Sequence, residues 1–317
     1  MPIGPAQAAQ PSGPPVSSRA KGNTATVNQS GAGNTVRFNQ GQDKQYTRTD
    51  RYRYYSWWYY RSYYNSARTL GSLTYADNNT LDINQSGGNG NNANVQQLGN
   101  SNRAYVRQYG SSNTANIYQT GESDYVSGTQ SGVGNSVYVS QSDSGSYYGT
   151  SKYKSATYNQ SGNSNSISIS QTSSYYDRSN GSQTAHVSQS GASNNASVNQ
   201  YGNASARVYQ SGGNQNRATI TQGNYYSDGQ TNSIYVSTQG SNNTVIANQS
   251  GDGGHNARIT QNGSDNTASL TQTGLTHNVN LSQTGSNHRF TGHQNGAGNN
   301  IQLSMTGTGG VVNINQF

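Results

Sequence analysis

From residue 23 onward one pattern returns throughout the chain: Asn-x-Ala-x-Val-x-Gln-x-Gly. Clear copies run from Asn23 to Gly31, Asn102 to Gly110, Asn113 to Gly121, Asn243 to Gly251 and Asn266 to Gly274. With conservative changes allowed there are 22 copies, and the common step between them is 11 residues. A fixed short period means one supersecondary unit stacked on its neighbours. Within a copy the Asn, Ala, Val and Gln positions lie two apart. That spacing predicts a β-strand with those four side chains on one face. The glycine after each Gln supplies the turn, because it reaches positive φ without a Cβ clash. Each strand spans only ~20 Å at ~3.3 Å per residue.

So short a strand cannot bury a face alone. Two facing strands per turn can, once successive turns stack. The sequence therefore predicts an all-β solenoid with two strands per rung, about 11 rungs, two facing parallel sheets and uncapped ends. At ~4.8 Å per rung its body is roughly 53 Å long. Composition agrees: Leu, Ile, Val and Phe make up about 12% of the chain and charged residues 9%. The core must then hold small apolar side chains in the middle and amides at the edges. Stacked Asn and Gln amides bond to their copies above and below, as in cross-β structures.

The even-numbered copies all end in glutamine: Gln40, Gln97, Gln119, Gln141, Gln171, Gln200, Gln222, Gln249, Gln272, Gln294 and Gln316. They are expected to form an unbroken ladder. The odd copies break theirs at Thr238 and Met305. Asp124 and Lys154 take the Asn position in neighbouring odd copies, which places a stacked ion pair there. Phe290 and Gly292 replace Ala and Val within one copy and are expected to compensate in volume. His255 and His277 share a position and should stack, as replacements for Asn at the corner.

Residues 1–22 contain all 5 prolines and read as a disordered tail with no charged n-region followed by an apolar run. Insertions at 41–78, 142–153, 172–182 and 223–231 all follow even copies, which puts them on one edge of the solenoid. The opposite edge is expected to stay clear for turn packing or contact between fibres. The insertions share Tyr-Tyr pairs, at Tyr147-Tyr148, Tyr175-Tyr176 and Tyr225-Tyr226. The longest holds Lys44, Arg48, Arg51, Arg53, Arg61, Arg68, Trp57 and Trp58. Arginine interleaved with aromatic rings suits an acidic polymer such as DNA or an anionic polysaccharide. The same run also fits a surface loop of mutually packed rings, or an extra hairpin beside the solenoid.

The segments NTATVNQSGAGNTVRFNQ (23–40) and NRAYVRQYGSSNTANIYQTG (102–121) resemble the curlin repeat of bacterial curli major subunits. The resemblance covers nearly all of 23–317 outside the insertions. It implies a secreted subunit of an extracellular amyloid fibre on the bacterial surface, forming biofilm matrix. It also implies an outer-membrane secretion pore and a nucleator subunit as partners, with the N-terminal tail resembling a secretion-targeting segment. The chain departs from the family in its doubled repeat number and its tyrosine-rich insertions.

Strand edges without caps recruit further copies head to tail, and unlike ends in contact give a filament. The alternative is a soluble monomeric solenoid acting as an adhesin or ligand-binding protein. No nucleophile–base or metal-ligand motif is apparent, so neither an enzyme nor a cofactor is expected. The 0 cysteines exclude disulfides, and no apolar run approaches membrane length.

Overall fold

A computed structural model describes residues 23–31, 33–40, 49–50, 68–69, 78–143, 153–173, 182–223 and 230–317. Two 11-stranded parallel sheets face each other. The first stacks Thr24–Gln29, Thr80–Ser86, Arg103–Ser111, Tyr125–Val133, Lys154–Asn163, Gln183–Ala192, Ala204–Ser211, Asn232–Gln239, Asn256–Ser264, Asn278–Ser286 and Asn300–Thr308. The second stacks Thr35–Asn39, Asn92–Gln97, Thr114–Gln119, Ser136–Asp143, Ser166–Ser173, Asn195–Tyr201, Arg217–Gly223, Thr244–Gly253, Thr267–Leu275, Arg289–Ala297 and Val311–Gln316. One strand from each sheet makes a rung, numbered here in chain order. The chain is the all-β solenoid that its 11-residue period requires.

Register follows the repeat. Gln29 pairs with Gln85, Gln85 with Gln108, and Gln119 with Gln141. Alternate residues are buried, as in Thr114–Gln119, where Ala115, Ile117 and Gln119 point inward. A slip by one residue would expose that whole set, which is why a one-sided apolar pattern fixes register. The core is two apolar columns per sheet, one in which Ala mixes with Val, Ile and Leu and one mainly of Val, Ile and Leu, with Asn and Gln at its margins.

Large and small residues compensate twice. A Cβ added at Gly292 would meet the Phe290 ring at 2.5 Å, so the glycine makes room for the phenylalanine. Gly128 does the same for Tyr158, one rung away in the Val column. Burial pushes the Tyr158 phenol above its ordinary pKa.

The turn from first to second sheet has a glycine spine. Gly31, Gly88, Gly110, Gly132, Gly162, Gly191, Gly213, Gly240, Gly263, Gly285 and Gly307 stack, each Cα lying against the next carbonyl oxygen. A second left-handed residue closes the same turn. Seven of these are not glycine, among them Ser112 (φ 58°), Ser164 (φ 54°) and Asp265 (φ 58°). The turn chemistry thus extends beyond the single glycine that the repeat suggests. Asparagine and aspartate tolerate this conformation better than most residues with a side chain, and Asn242 Nδ2 donates to Asp265 Oδ1 on the next rung at 3.1 Å.

The masses of the insertions, and the tail 1–22, lie outside the described residues. The described strands place each insertion between a second-sheet strand and the next first-sheet strand. In the longest, Thr49–Asp50 pairs antiparallel with Arg68–Thr69.

Candidate functional site

The polar columns are the distinctive chemistry of this molecule. On the second sheet, the Gln40 amide Nε2 donates to Gln97 Oε1 at 2.9 Å, and Gln97 to Gln119 at 2.9 Å. The series continues through Gln141, Gln171, Gln200, Gln222, Gln249, Gln272 and Gln294 to Gln316, the last bond being 2.8 Å. Every amide points the same way along the axis. The second N–H of most of these amides crosses to the facing strand, as from Gln119 to the Arg103 carbonyl at 3.2 Å. Each buried amide thereby ties rung to rung and sheet to sheet, which satisfies a group that would otherwise be costly to bury.

The first-sheet ladder runs from Gln29 to Gln210 and stops at Thr238. Thr238 is too short to reach either neighbour. Gln210 Nε2, Thr238 Oγ1 and Gln261 Oε1 are buried there with no protein partner. The ladder resumes from Gln261 to Gln283 at 2.8 Å and ends against the Met305 sulfur at 3.7 Å. Thr238→Gln should rejoin it and raise unfolding free energy by about 1–2 kcal/mol, since net hydrogen bonds contribute about 1 kcal/mol each. A higher guanidinium midpoint at unchanged m would show the gain.

Asparagine columns seal the corners. The Asn165 side-chain oxygen accepts from the Asn194 backbone N–H at 3.0 Å, while its Nδ2 donates to the Ser161 and Gly191 carbonyls, both at 3.0 Å. On the second sheet this column runs from Asn34 through Asn266. On the first sheet it is irregular in rungs 4–7, where Asp124, Lys154, Gln183 and Ala204 stand. All four insertions enter at this edge. Asp124 Oδ2 and Gln183 Oε1 are buried there with no protein hydrogen-bond partner among the described residues.

The Asp124–Lys154 pair expected from the repeat is present at 3.3 Å and fully buried. Asp143 joins it through its Oδ1, an addition that the repeat does not reveal because Asp143 lies past the end of the pattern. Ser173 Oγ donates to the same Asp143 oxygen at 2.6 Å. Desolvation raises the Asp124 carboxyl to about 7, with Lys154 opposing and Asp143 adding to the rise.

Histidine can do asparagine's work in these columns. His255 and His277 stack with centroids 5.1 Å apart and planes 11° apart. His255 Nδ1 accepts the His277 backbone N–H at 3.2 Å, and its Nε2 faces the Ser250 carbonyl at 3.0 Å. His277 repeats this with Asn299 N–H and the Thr273 carbonyl. His288 does so with Gly310 N–H and the Thr284 carbonyl in the second sheet. The carbonyl requires a proton on Nε2 and the amide requires a lone pair on Nδ1, so the neutral ring is the one that fits. Both nitrogens are occupied, and among the described residues no group of three or more His, Cys, Asp or Glu is placed to hold a metal.

Burial holds His255 below its ordinary 6.5, with the Ser250 carbonyl opposing that shift. The unfolded chain therefore takes up a proton first. Stability from this site is complete above the unfolded value and is lost as pH falls through it toward the lower folded one. In an Asp124→Asn/Lys154→Asn background, which removes the opposing carboxyl, the guanidinium midpoint should be lower at pH 5 than at pH 7.5, and His255→Asn should flatten that dependence.

Among the described residues the end rungs keep the same columns and pair on one side only. Their inward residues are partly open: Phe38 is 44% exposed, and Val36, Leu303, Val312 and Ile314 are half-buried. Of the sequence-predicted basic and aromatic set, Lys44, Arg48, Arg51, Arg53, Arg61, Trp57 and Trp58 lie outside the described residues, as does the Arg68 side chain.

A family model described as the curlin associated repeat matches residues 76–110, 88–121 and 253–274. These segments are curlin repeats. The matched curlin repeats cover rungs 2 and 3 and rung 9, and the other rungs share their register and ladders. No curated protein and no solved structure matches the chain.

Proposed function

We propose that this chain is the structural subunit of an extracellular, curli-like amyloid fibre that adds copies head to tail and builds biofilm matrix. The end rungs, each paired on one side among the described residues, carry the reading. At one end Gln40 offers the acceptor side of its ladder; at the other Gln316 offers the donor side, because the amides share one direction. A second copy placed in register continues the ladder, the glycine spine and the apolar columns. Bare strand edges of this kind recruit further strands.

By kinship with curlin-repeat subunits, the further partners are an outer-membrane secretion pore and a nucleator subunit. The protein acts outside the cell and has a scaffolding role without catalysis. Its Lys44–Arg68 insertion is assigned to contact with acidic matrix polymers, DNA or polysaccharide.

Purified chain should show seeded thioflavin-positive growth, with fibre diffraction near ~4.7 and ~10 Å. Folded chain that stays monomeric at high concentration, with and without seeds, would replace this reading with that of a soluble adhesin.

A further inference from the structure

Charge is distributed unevenly over the solenoid. At outward strand positions the first sheet presents Arg103, Arg107, Arg207 and Arg258, and the second Arg37, Arg217 and Arg289, all exposed. Asp82 is the acidic residue at such a position among the side chains described. Glu122 and Asp265 sit at turns, and Asp124 and Asp143 surround Lys154. Both faces therefore favour anions, and clustered charge of one sign raises their local concentration.

The first sheet adds aromatic rings to this charge. His186, Arg207, Tyr235 and Arg258 stand in one outward column across rungs 6–9. Tyr209 lies beside them. The His186 and Tyr209 ring centroids are 5.3 Å apart, and those of Tyr209 and Tyr235 are 5.6 Å apart. The Arg258 guanidinium carbon sits 4.5 Å from the Tyr235 ring centre. The result is a continuous strip of rings with an arginine at Arg207 and another at Arg258, about 10 Å apart across two rungs. Burial, then the Arg207 charge, holds His186 below its ordinary pKa, so the arginines are the strip's cations near neutral pH. On the second sheet the same rungs show mostly Asn, Ser and Thr around a lone Arg217, with Ile246 exposed among them and a single ring, Tyr201, at the end of its strand.

We propose that this strip, the outward face of the first sheet over rungs 6–9, binds single-stranded nucleic acid. Guanidinium groups match phosphate oxygens in geometry and charge. Unpaired bases have free π faces that stack on tyrosine, whereas a duplex hides them. An acidic polysaccharide would use the same arginines but has no planar bases to place on the rings. The site is distinct from the Lys44–Arg68 insertion and is present in a single folded chain, so it does not depend on polymerisation. In a fibre it would recur once per subunit, and a long strand would bind several copies at once.

The test uses the full-length chain, before and after fibre growth, and the anisotropy of a labelled 30-mer of thymidine at several salt concentrations. Arg207→Gln/Arg258→Gln should weaken binding about tenfold and lower the log–log salt slope by about 1.4, at ~0.7 for each phosphate left without its arginine. Tyr209→Leu/Tyr235→Leu should weaken it at least fivefold with the slope nearly unchanged. Arg217→Gln/Arg289→Gln removes the same charge from the other face and should cost less than threefold. Circular dichroism confirms that each variant folds. Equal losses from the two arginine pairs would reduce the effect to general charge and overturn the proposal. An unaffected tyrosine variant, with a polyuronate binding as tightly as the oligonucleotide, would overturn it in favour of an acidic polysaccharide. Loss of all binding on deleting 44–68, with the face variants silent, would overturn it in favour of the insertion.

Discussion

Gly162→Ala is expected to cost more than about 4 kcal/mol, a loss reserved for a few drastic mechanisms. Gly162 has φ 100°, and a Cβ built there would overlap the Gly191 carbonyl oxygen. The positive φ alone costs about 1–2 kcal/mol for a residue with a side chain. The overlap is the larger part. Its partner is backbone, already fixed by the ladder bonds of the next rung, so neither side can turn away. Relief requires parting rungs 5 and 6, which breaks the Gln160–Gln189 and Asn165–Asn194 hydrogen bonds together. Two other glycines separate the contributions. Gly223 has no positive φ and nothing within 4 Å, so Gly223→Ala should change stability by less than about 0.5 kcal/mol. Gly307 has φ 96° but also nothing within 4 Å, because it stands on the last rung. Gly307→Ala should thus show only the conformational cost in a folded monomer. If copies stack head to tail, its methyl meets the Gly31 carbonyl of the next copy and elongation should stop. Guanidinium midpoints rank the three monomers, and seeded growth isolates the effect at the joint. Equal midpoints for Gly162→Ala and Gly307→Ala would mean that the glycine spine does not bear on rung stacking.

Much of this was legible because the period converts sequence distance into spatial neighbourhood. Counting copies places Asp124 beside Lys154 and His255 beside His277, although 30 residues separate the first pair. It also locates the ladder break at Thr238. The same count could have found Gly128 beneath Tyr158, since both occupy the Val position of adjacent odd copies; the signal was in the sequence and was missed. Other features carry no such mark. Asp143 reaches Lys154 from the last residue of its strand, past the Gln that ends the repeat, where the pattern no longer dictates direction. Ser112 and Ser164 look like ordinary turn residues, and only backbone geometry shows that they share the left-handed role. The division of labour between the two histidine nitrogens depends on which amide and which carbonyl they meet, not on their place in the pattern. The Arg207–Tyr235–Arg258 column lies on positions that the repeat leaves variable, so its period fixes where those residues stand while saying nothing of which residues they are.

Lys154→Asn is expected to cost about 3–5 kcal/mol, as when one partner of a buried ion pair is removed. Lys154 and Asp124 are both 0% exposed at their side chains. Without the ammonium, Asp124 faces Asp143 with no cation between them. The repeat supplies the remedy. Asparagine is the ordinary occupant of this column, so Asp124→Asn/Lys154→Asn rebuilds the corner with neutral amides. Asp143 then keeps its Ser173 hydrogen bond at 2.6 Å, and its side chain is 28% exposed and so partly hydrated. The double variant should recover most of the loss, and the difference between single and double measures the cost of a stranded charge. Acidity provides a second signature. The Asp124 carboxyl is raised from 3.8 to about 7, chiefly by desolvation, so between those values the folded chain holds a proton that the unfolded chain releases. Stability from this group is therefore greatest below the unfolded value and falls as pH rises toward about 7. His255 tilts the other way, so the His255→Asn background removes that opposing contribution. In that background the guanidinium midpoint should decline from pH 4.5 to pH 7, and adding Asp124→Asn/Lys154→Asn should remove the decline. A decline that survives both changes would place its source outside this triad.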